Sequence, residues 1–304
     1  MTLTPQHAID AFNQAFGSHR GARALHAKGV LLRGTFTPTP DGAALTHAAH
    51  MHQPSVPATV RFSNGSGNPS EPDWKPGPRG IAVKLYPPDG SRTDIMAISS
   101  PRFPTRTPEA FIELVGVQAA GVAAVWKLPL FLLEHPETAR ALPAIAPTLR
   151  PPASYASIPY HGIHAFRWID AQGDGRHVRH KLSPEGPVER LLPPVGWRRG
   201  RDYLEREITD RLARGPVRFT LELQIAAAGD PVDDPNAAWP SGRPSVRAGT
   251  LEITGPERER EKGGDVLVFD PTRVVDGIEL SDDPVLHFRP LAYSESVARR
   301  TAGA

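Results

Sequence analysis

The chain of 304 residues contains no cysteine. That absence removes disulfide scaffolds, thiol nucleophiles, iron–sulfur clusters and thiolate-ligated metals together. Any metal must be held by histidine, carboxylate or tyrosine. A charge of one sign is also lacking, since 35 Lys and Arg stand against 33 Asp and Glu and leave a formal charge of +2. A nucleic-acid binder carries a far more basic footprint, so no nucleic-acid partner is expected. Long apolar runs are scarce too. The most apolar stretch, Val115 to Leu133, is interrupted by Gln118, Lys127 and Pro129, and reads as a helix with a following turn, not as a stable membrane span. The sequence has no phosphate-cradling glycine loop, no Gly-x-Ser-x-Gly elbow and no His-Glu-x-x-His. The run Asn64-Gly65-Ser66-Gly67-Asn68 lacks a following Lys-Ser or Lys-Thr, which argues against a nucleotide site.

What is present describes an ordinary globular protein, 39% hydrophobic and 22% charged, long enough to bury a full core. Thirty-four prolines and 27 glycines are scattered along it, pointing to many short elements joined by tight turns. Met1 to Gly17 reads as a helix with Ile9, Phe12 and Phe16 at helical spacing and not as a secretory signal. Cytoplasm is the expected location, or periplasm where a signal has been removed. Short β-type runs follow at Val30 to Phe36, Ala58 to Ser63 and Gly80 to Tyr86. The turn Pro87-Pro88-Asp89-Gly90 leads on to Asp94 to Ile98 as a hairpin. Phe166 to Ile169 with His177 to Leu182 form a second hairpin, and Val217 to Ala226 with Leu251 to Thr254 a further pair. Helices fit Pro108 to Val117, with Thr107 as N-cap, Tyr203 to Ala213, and Pro284 to Arg300. This order suits an α+β protein built on an antiparallel barrel of about eight strands with appended helices better than an alternating α/β plan.

Without cysteine, 12 histidines and five tyrosines carry most of the available ligand chemistry. The cluster His47, His50 and His52 invites a metal reading but has no helix to align it, and reads as a loop. Two other places are more informative. One is Arg23-Ala24-Leu25-His26-Ala27-Lys28-Gly29, directly before a strand. The other is Arg289-Pro290-Leu291-Ala292-Tyr293, where Arg and Tyr four apart share a helix face. A guanidinium within hydrogen-bond reach favours a phenolate, and a phenolate is one of the few protein ligands for heme iron. A surface packing pair has the same spacing.

The segments Arg-x-x-His-Ala-Lys-Gly at His26, Val60-Arg61-Phe62-Ser63, Pro78-Arg79-Gly80-Ile81-Ala82-Val83-Lys84-Leu85-Tyr86 and Gly277-Ile278-Glu279 with Leu286, Arg289 and Tyr293 resemble the heme catalase core, in that order. The resemblance runs from about Arg20 to Arg300, and is nearest to the short catalase-related peroxidases. It implies a helical arm over residues 1–22 and a heme-binding barrel domain over residues 23–304 that ends in the proximal helix. It implies heme b as cofactor, His26 as distal acid–base residue, Tyr293 as iron ligand, and Arg289 as the partner that keeps Tyr293 ionised. Ser63 is expected to hydrogen-bond His26 from behind. Arg23, Arg61 and Arg299 or Arg300 are expected to pair with heme propionates, and Phe103 and Phe111 to line the distal pocket.

One departure stands out. Full catalases carry a distal asparagine where this chain reads Ala97-Ile98-Ser99-Ser100-Pro101, so that position is Ile98, or Ser99 with the register shifted by one. Loss of an amide that orients peroxide should weaken the oxidation of a second peroxide most. The expected function is a peroxidase that reduces hydrogen peroxide with a small organic electron donor, with weak catalase activity. Conversion of organic or lipid hydroperoxides and non-catalytic heme binding are the alternatives. A homodimer is the expected assembly.

Overall fold

The computed structural model describes residues 3–257 and 267–302. Eight antiparallel strands form the body: β1 (Gly29–Pro38), β2 (Val56–Asn64), β3 (Arg79–Leu85), β4 (Thr93–Ile98), β5 (Tyr160–Ile169), β6 (Gly175–Pro184), β7 (Val217–Ile225) and β8 (Ser245–Pro256). They run in the order β4-β3-β2-β1-β8-β7-β6-β5, and the pair Ile98 and His161 joins β4 to β5 and closes the barrel. A three-residue strand, β9 (Ile278–Leu280), pairs with the other side of β5. Around the barrel lie α1 (Pro5–Phe16), α2 (Pro40–Ala43), α3 (Pro108–Ala119), α4 (Ala124–Glu134), α5 (Pro136–Ile145), α6 (Pro193–Arg198), α7 (Tyr203–Arg214) and α8 (Pro284–Ala302).

Turn chemistry explains the hairpins. Between β3 and β4, Gly90 takes φ +82°, while Asp89 Oδ1 accepts from the Ser91 amide and hydroxyl. Between β5 and β6, Asp170 Oδ1 accepts from the amides of Gln172 and Asp174, the self-bonding that makes Asp a turn former. Thr107 Oγ1 accepts from the Ala110 amide and Pro108 opens α3, a pairing that satisfies one free amide and places proline where it costs no bond. Inside the barrel the buried rings of Phe62, Tyr155, Tyr160 and Phe219 pack together, Phe62 and Tyr155 nearly parallel at 5.2 Å.

A second apolar cluster joins three helices. Ile9 and Phe12 of α1, Val115 of α3 and Ala292 of α8 bury one another, and Arg299 of α8 pairs with Asp10 of α1. The helix read at the N-terminus therefore folds back against α3 and α8.

The observed strands are longer than their apolar cores suggest, because ladder pairing extends into polar ends such as Gly175-Arg176 and Ser245-Val246-Arg247. The stretch Val115 to Leu133 differs from the expected helix and turn. It spans two helices, α3 and α4, joined by a short 3-10 segment at Gly121–Ala123 and bent by 119°. Among the described residues no single helix is long and apolar enough to cross a membrane. The histidine cluster does not converge: His47 Nδ1 meets the Asp170 carbonyl, His52 Nε2 meets the Thr46 carbonyl, and His50 is buried.

Burial leaves several histidines uncharged. Desolvation lowers the pKa of His50, His161 and His180 from 6.5 to about 4 in each case. Unfolded, these rings bind protons near pH 6.5, and folded only near pH 4, so the unfolded chain holds more protons in between. Stability is therefore complete above pH 6.5 and lost as pH falls toward 4. Going from about pH 7.5 to about 5.5 is expected to cost about 1 kcal/mol for each of the three rings. Urea midpoints at the two pH values check this, and equal midpoints would contradict it.

Candidate functional site

The segment that leads into β1 turns sharply at His26. Its φ of +54° makes it the one non-glycine residue with positive φ among those described, a conformation that costs an L-residue about 1–2 kcal/mol. Two backbone contacts hold it there. Arg61 Nη2 on β2 donates to the carbonyls of His26 and Ala27, at 2.8 and 3.2 Å, and the Ala27 amide donates to the Ser66 carbonyl. Two residues on, Lys28 forms ion pairs of 2.7 Å with Asp73 and Asp202. Asp73 in turn accepts from the Leu204 amide on α7 and from Asn64 Nδ2.

The ring of His26 is seated as firmly as its backbone. Nδ1 lies 3.0 Å from Ser63 Oγ, which leaves Nε2 as the nitrogen that Ser63 does not engage. Gly80 on β3 lies directly behind it, and a Cβ there would fall 3.0 Å from His26 Cε1 and 2.9 Å from Ser63 Oγ. Burial, and then the guanidinium charges of Arg61, Arg289 and Arg23, lower the His26 pKa from 6.5 to about 3. The ring is neutral near pH 7.

His26 lines a cavity formed where the barrel meets α1, α3 and α8. Ser63, Arg61, Gly80, Met96 and Ile98 bound it from the strands, Phe103, Pro108, Phe111 and Ile112 from the segment through α3, and Ile9 and Phe12 from α1. Phe103 and Phe111 pack on each other with ring centroids 4.8 Å apart. Ile98 faces the cavity, whereas Ser99 is buried and its Oγ accepts from the Arg79 amide. Of the two positions that the sequence left open, Ile98 is thus the one that lines the cavity.

Helix α8 supplies the other polar group. Arg289 Nε donates to Tyr293 Oη at 2.8 Å, across one helical turn. Behind them lie two residues that the sequence reading missed. Arg289 Nη1 lies 2.9 Å from His164 Nε2, and His164 Nδ1 lies 2.6 Å from Asp283 Oδ2. A guanidinium can only donate, so Nε2 is the acceptor and Nδ1 carries the proton that goes to Asp283. Burial lowers the His164 pKa and the Arg289 charge works with it, while Asp283 opposes them. The other oxygen of Asp283 accepts from the amides of Val285 and Leu286 at the start of α8. One carboxylate thus caps the helix and sets the chain His164, Arg289, Tyr293. A sequence signal existed for the cap, Asp283 immediately before Pro284, but none for its partner on β5.

The remaining candidates divide. Arg23, Arg61 and Arg300 line the cavity. Arg299 does not: it pairs with Asp10 and with Glu295 one turn earlier. Successive helix residues point about 100° apart, so only one of the two arginines can face the site. The Glu295–Arg299 spacing was the available signal that Arg299 is otherwise engaged.

The donor set fits a heme. A phenol with a guanidinium donor, a neutral histidine and aromatic walls share one mostly apolar cavity, and Arg300 Nη2 is buried there without a hydrogen-bond partner. A cofactor carboxylate would satisfy that orphaned donor.

Comparison with known proteins agrees. The catalase family model matches residues 1–304. A catalase-related peroxidase of Mycolicibacterium paratuberculosis is 50% identical over 299 residues, covering 98% of this chain and 95% of its own length. A catalase-related peroxidase of Synechococcus elongatus is 30% identical over 305 residues, covering 99% of this chain and 90% of its own. Catalase A from Saccharomyces cerevisiae shares the fold with a TM-score of 0.80 at 21% identity, and the match takes in 97% of this chain and 64% of that one. Barrel, cavity and relatives lead to one assignment: the chain belongs to the catalase family and is a catalase-like heme enzyme, an oxidoreductase.

Proposed function

We propose that this protein is a heme b peroxidase. It reduces hydrogen peroxide to two waters while a small organic donor gives up two electrons and two protons, with weak release of oxygen from peroxide alongside. The observation that carries the reading is a neutral, rigidly seated His26 in the same cavity as Tyr293 and its Arg289 donor. Bound heme supplies an iron centre able to pass the donor's electrons to peroxide. Tyr293 is the residue that holds the iron, and Arg289 directs a donor and a positive charge at its oxygen. Arg23, Arg61 and Arg300 are the partners for the heme carboxylates, and Phe103 and Phe111 flank the bound group.

The chain's own part in the chemistry is mainly a proton transfer. With its pKa held at about 3, His26 is a free base at neutral pH. It takes the proton from one peroxide oxygen and hands it to the other, so that as the O–O bond breaks one oxygen leaves as water, while the other takes up the donor's two electrons and two protons and leaves as the second water. Ser63 and Gly80 keep the ring from turning while it does so. Ile98 offers no hydrogen bond to a second peroxide, which favours the organic donor over peroxide as reductant.

A second reading rests on one observation, the apolar lining by Ile98, Phe103, Phe111 and Ile112. It gives an organic or lipid hydroperoxide as the oxidant. The stretch from Val122 to Leu133 does not support this reading, because most of its apolar side chains are exposed and none lines the cavity. Incubation with a fatty-acid hydroperoxide and product analysis separates the two: unchanged substrate excludes the second.

The proposal is tested on heme-reconstituted protein by absorption spectrum, oxygen release and oxidation of a chromogenic donor. His26→Gln is expected to keep the Soret band and lose on the order of 10²- to 10⁴-fold in peroxide consumption, and Tyr293→Phe to lose the tyrosinate-type spectrum. A His26→Gln enzyme as fast as an active parent would remove His26 from the chemistry, and a parent with a Soret band but no peroxide consumption would leave heme binding without catalysis. Ile98→Asn is expected to raise oxygen release relative to donor oxidation on the order of tenfold, the worth of one aligned hydrogen bond. An unchanged ratio would show that Ile98 does not set the balance.

A further inference from the structure

Helix α4 buries little of its own apolar surface. Of its residues only Phe131 is buried, while Trp126 is 77% and Leu133 78% exposed, and Val122, just before it, is 88% exposed. Val122, Trp126, Leu130 and Leu133 fall at spacings of four, four and three, so they form one continuous stripe. With Val125, which borders the stripe, the five side chains expose on the order of 700 Å² of apolar surface, more than the ~300–600 Å² of the largest patch on an ordinary monomer. It is also close to the ~800 Å² that each partner contributes to a standard interface.

We propose that this stripe is a homodimer interface, in which α4 packs antiparallel on α4 of a second copy about a two-fold axis through Leu130. The sequence of the stripe is self-complementary in that arrangement. Leu130 meets the partner's Leu130, and Trp126 lies beside the partner's Leu133. The same register brings Lys127 opposite the partner's Glu134, and a two-fold axis repeats every such contact. Lys127 and Glu134 are seven residues apart, two helical turns, so both lie along one edge of the stripe.

The charges argue for this occupant. Both residues are exposed, and neither has an ion-pair partner within the chain among the described residues. Glu134 lies in a group with Glu113 and His135 whose polar atoms are within 4.8 Å of one another. An incoming lysine relieves the repulsion between the two carboxylates. An anionic lipid surface is the poorer match, because Glu134 at the edge of the stripe and Glu113 beside it would repel its headgroups.

Sedimentation of the heme-loaded full chain over a dilution series tests the proposal. A dimer of the 32.9 kDa chain is expected. Lys127→Glu sets like charges against each other twice and should raise the dissociation constant about tenfold or more. The exchange Lys127→Glu with Glu134→Lys should restore it, and Trp126→Ala should weaken it without changing the Soret band. A monomer at every concentration would overturn the proposal. So would a dimer indifferent to both Lys127→Glu and Trp126→Ala, or a monomer that binds anionic vesicles through Trp126.

Discussion

Arg61 donates through Nη2 to two successive carbonyls, those of His26 and Ala27, and much of the site follows from that pair of bonds. It holds His26 in the left-handed region, against a preference of about 1–2 kcal/mol, and so aims the ring into the cavity instead of along β1. The same guanidinium lines the cavity and is the largest charge contribution to keeping the histidine neutral. One side chain on the neighbouring strand therefore bears on strain, orientation and protonation state together, the last of these after burial. Both carbonyl bonds leave one nitrogen, Nη2, whose two hydrogens can serve one carbonyl each.

The opposite constraint is built from a helix end. Asp283 caps α8 with one oxygen and fixes His164 with the other, so the position of Tyr293 is referred back to β5 through a chain of directional bonds. Barrel and helix are thereby registered to each other at the point where chemistry needs them. The apolar contacts of α1 and α3 with α8 add area, whereas the polar chain adds orientation.

How much of this could be read from the sequence depended on range. The hairpins announce themselves through Asp-Gly turns and alternation, and Thr107-Pro108 marks a helix start, because the forces involved act within a few residues. Arg289 and Tyr293 were visible as neighbours because a helix repeats every turn. His164 was not: it pairs with a residue 119 positions away, on a strand whose pairing shifts register between His161 and Ala165, so its facing cannot be counted from the sequence. The choice between Arg299 and Arg300 needed the rotational phase of α8, which Asp10 on a distant helix helps to set. The outward face of α4 was not legible for a related reason, since an apolar run does not say what, if anything, it packs against.

The tetrapeptide His26-Ala27-Lys28-Gly29 has a consequence beyond its own contacts. His26 is held by Ser63 and Gly80 on one side, Lys28 by Asp73 and Asp202 on another, and a single residue spans the gap between the two anchors. No slack exists there. One added or deleted residue would force one anchor to be given up, either the acid–base group or the tie to α7. Across relatives that keep both anchors, an alignment should therefore open no gap inside this segment, however freely loop lengths vary elsewhere.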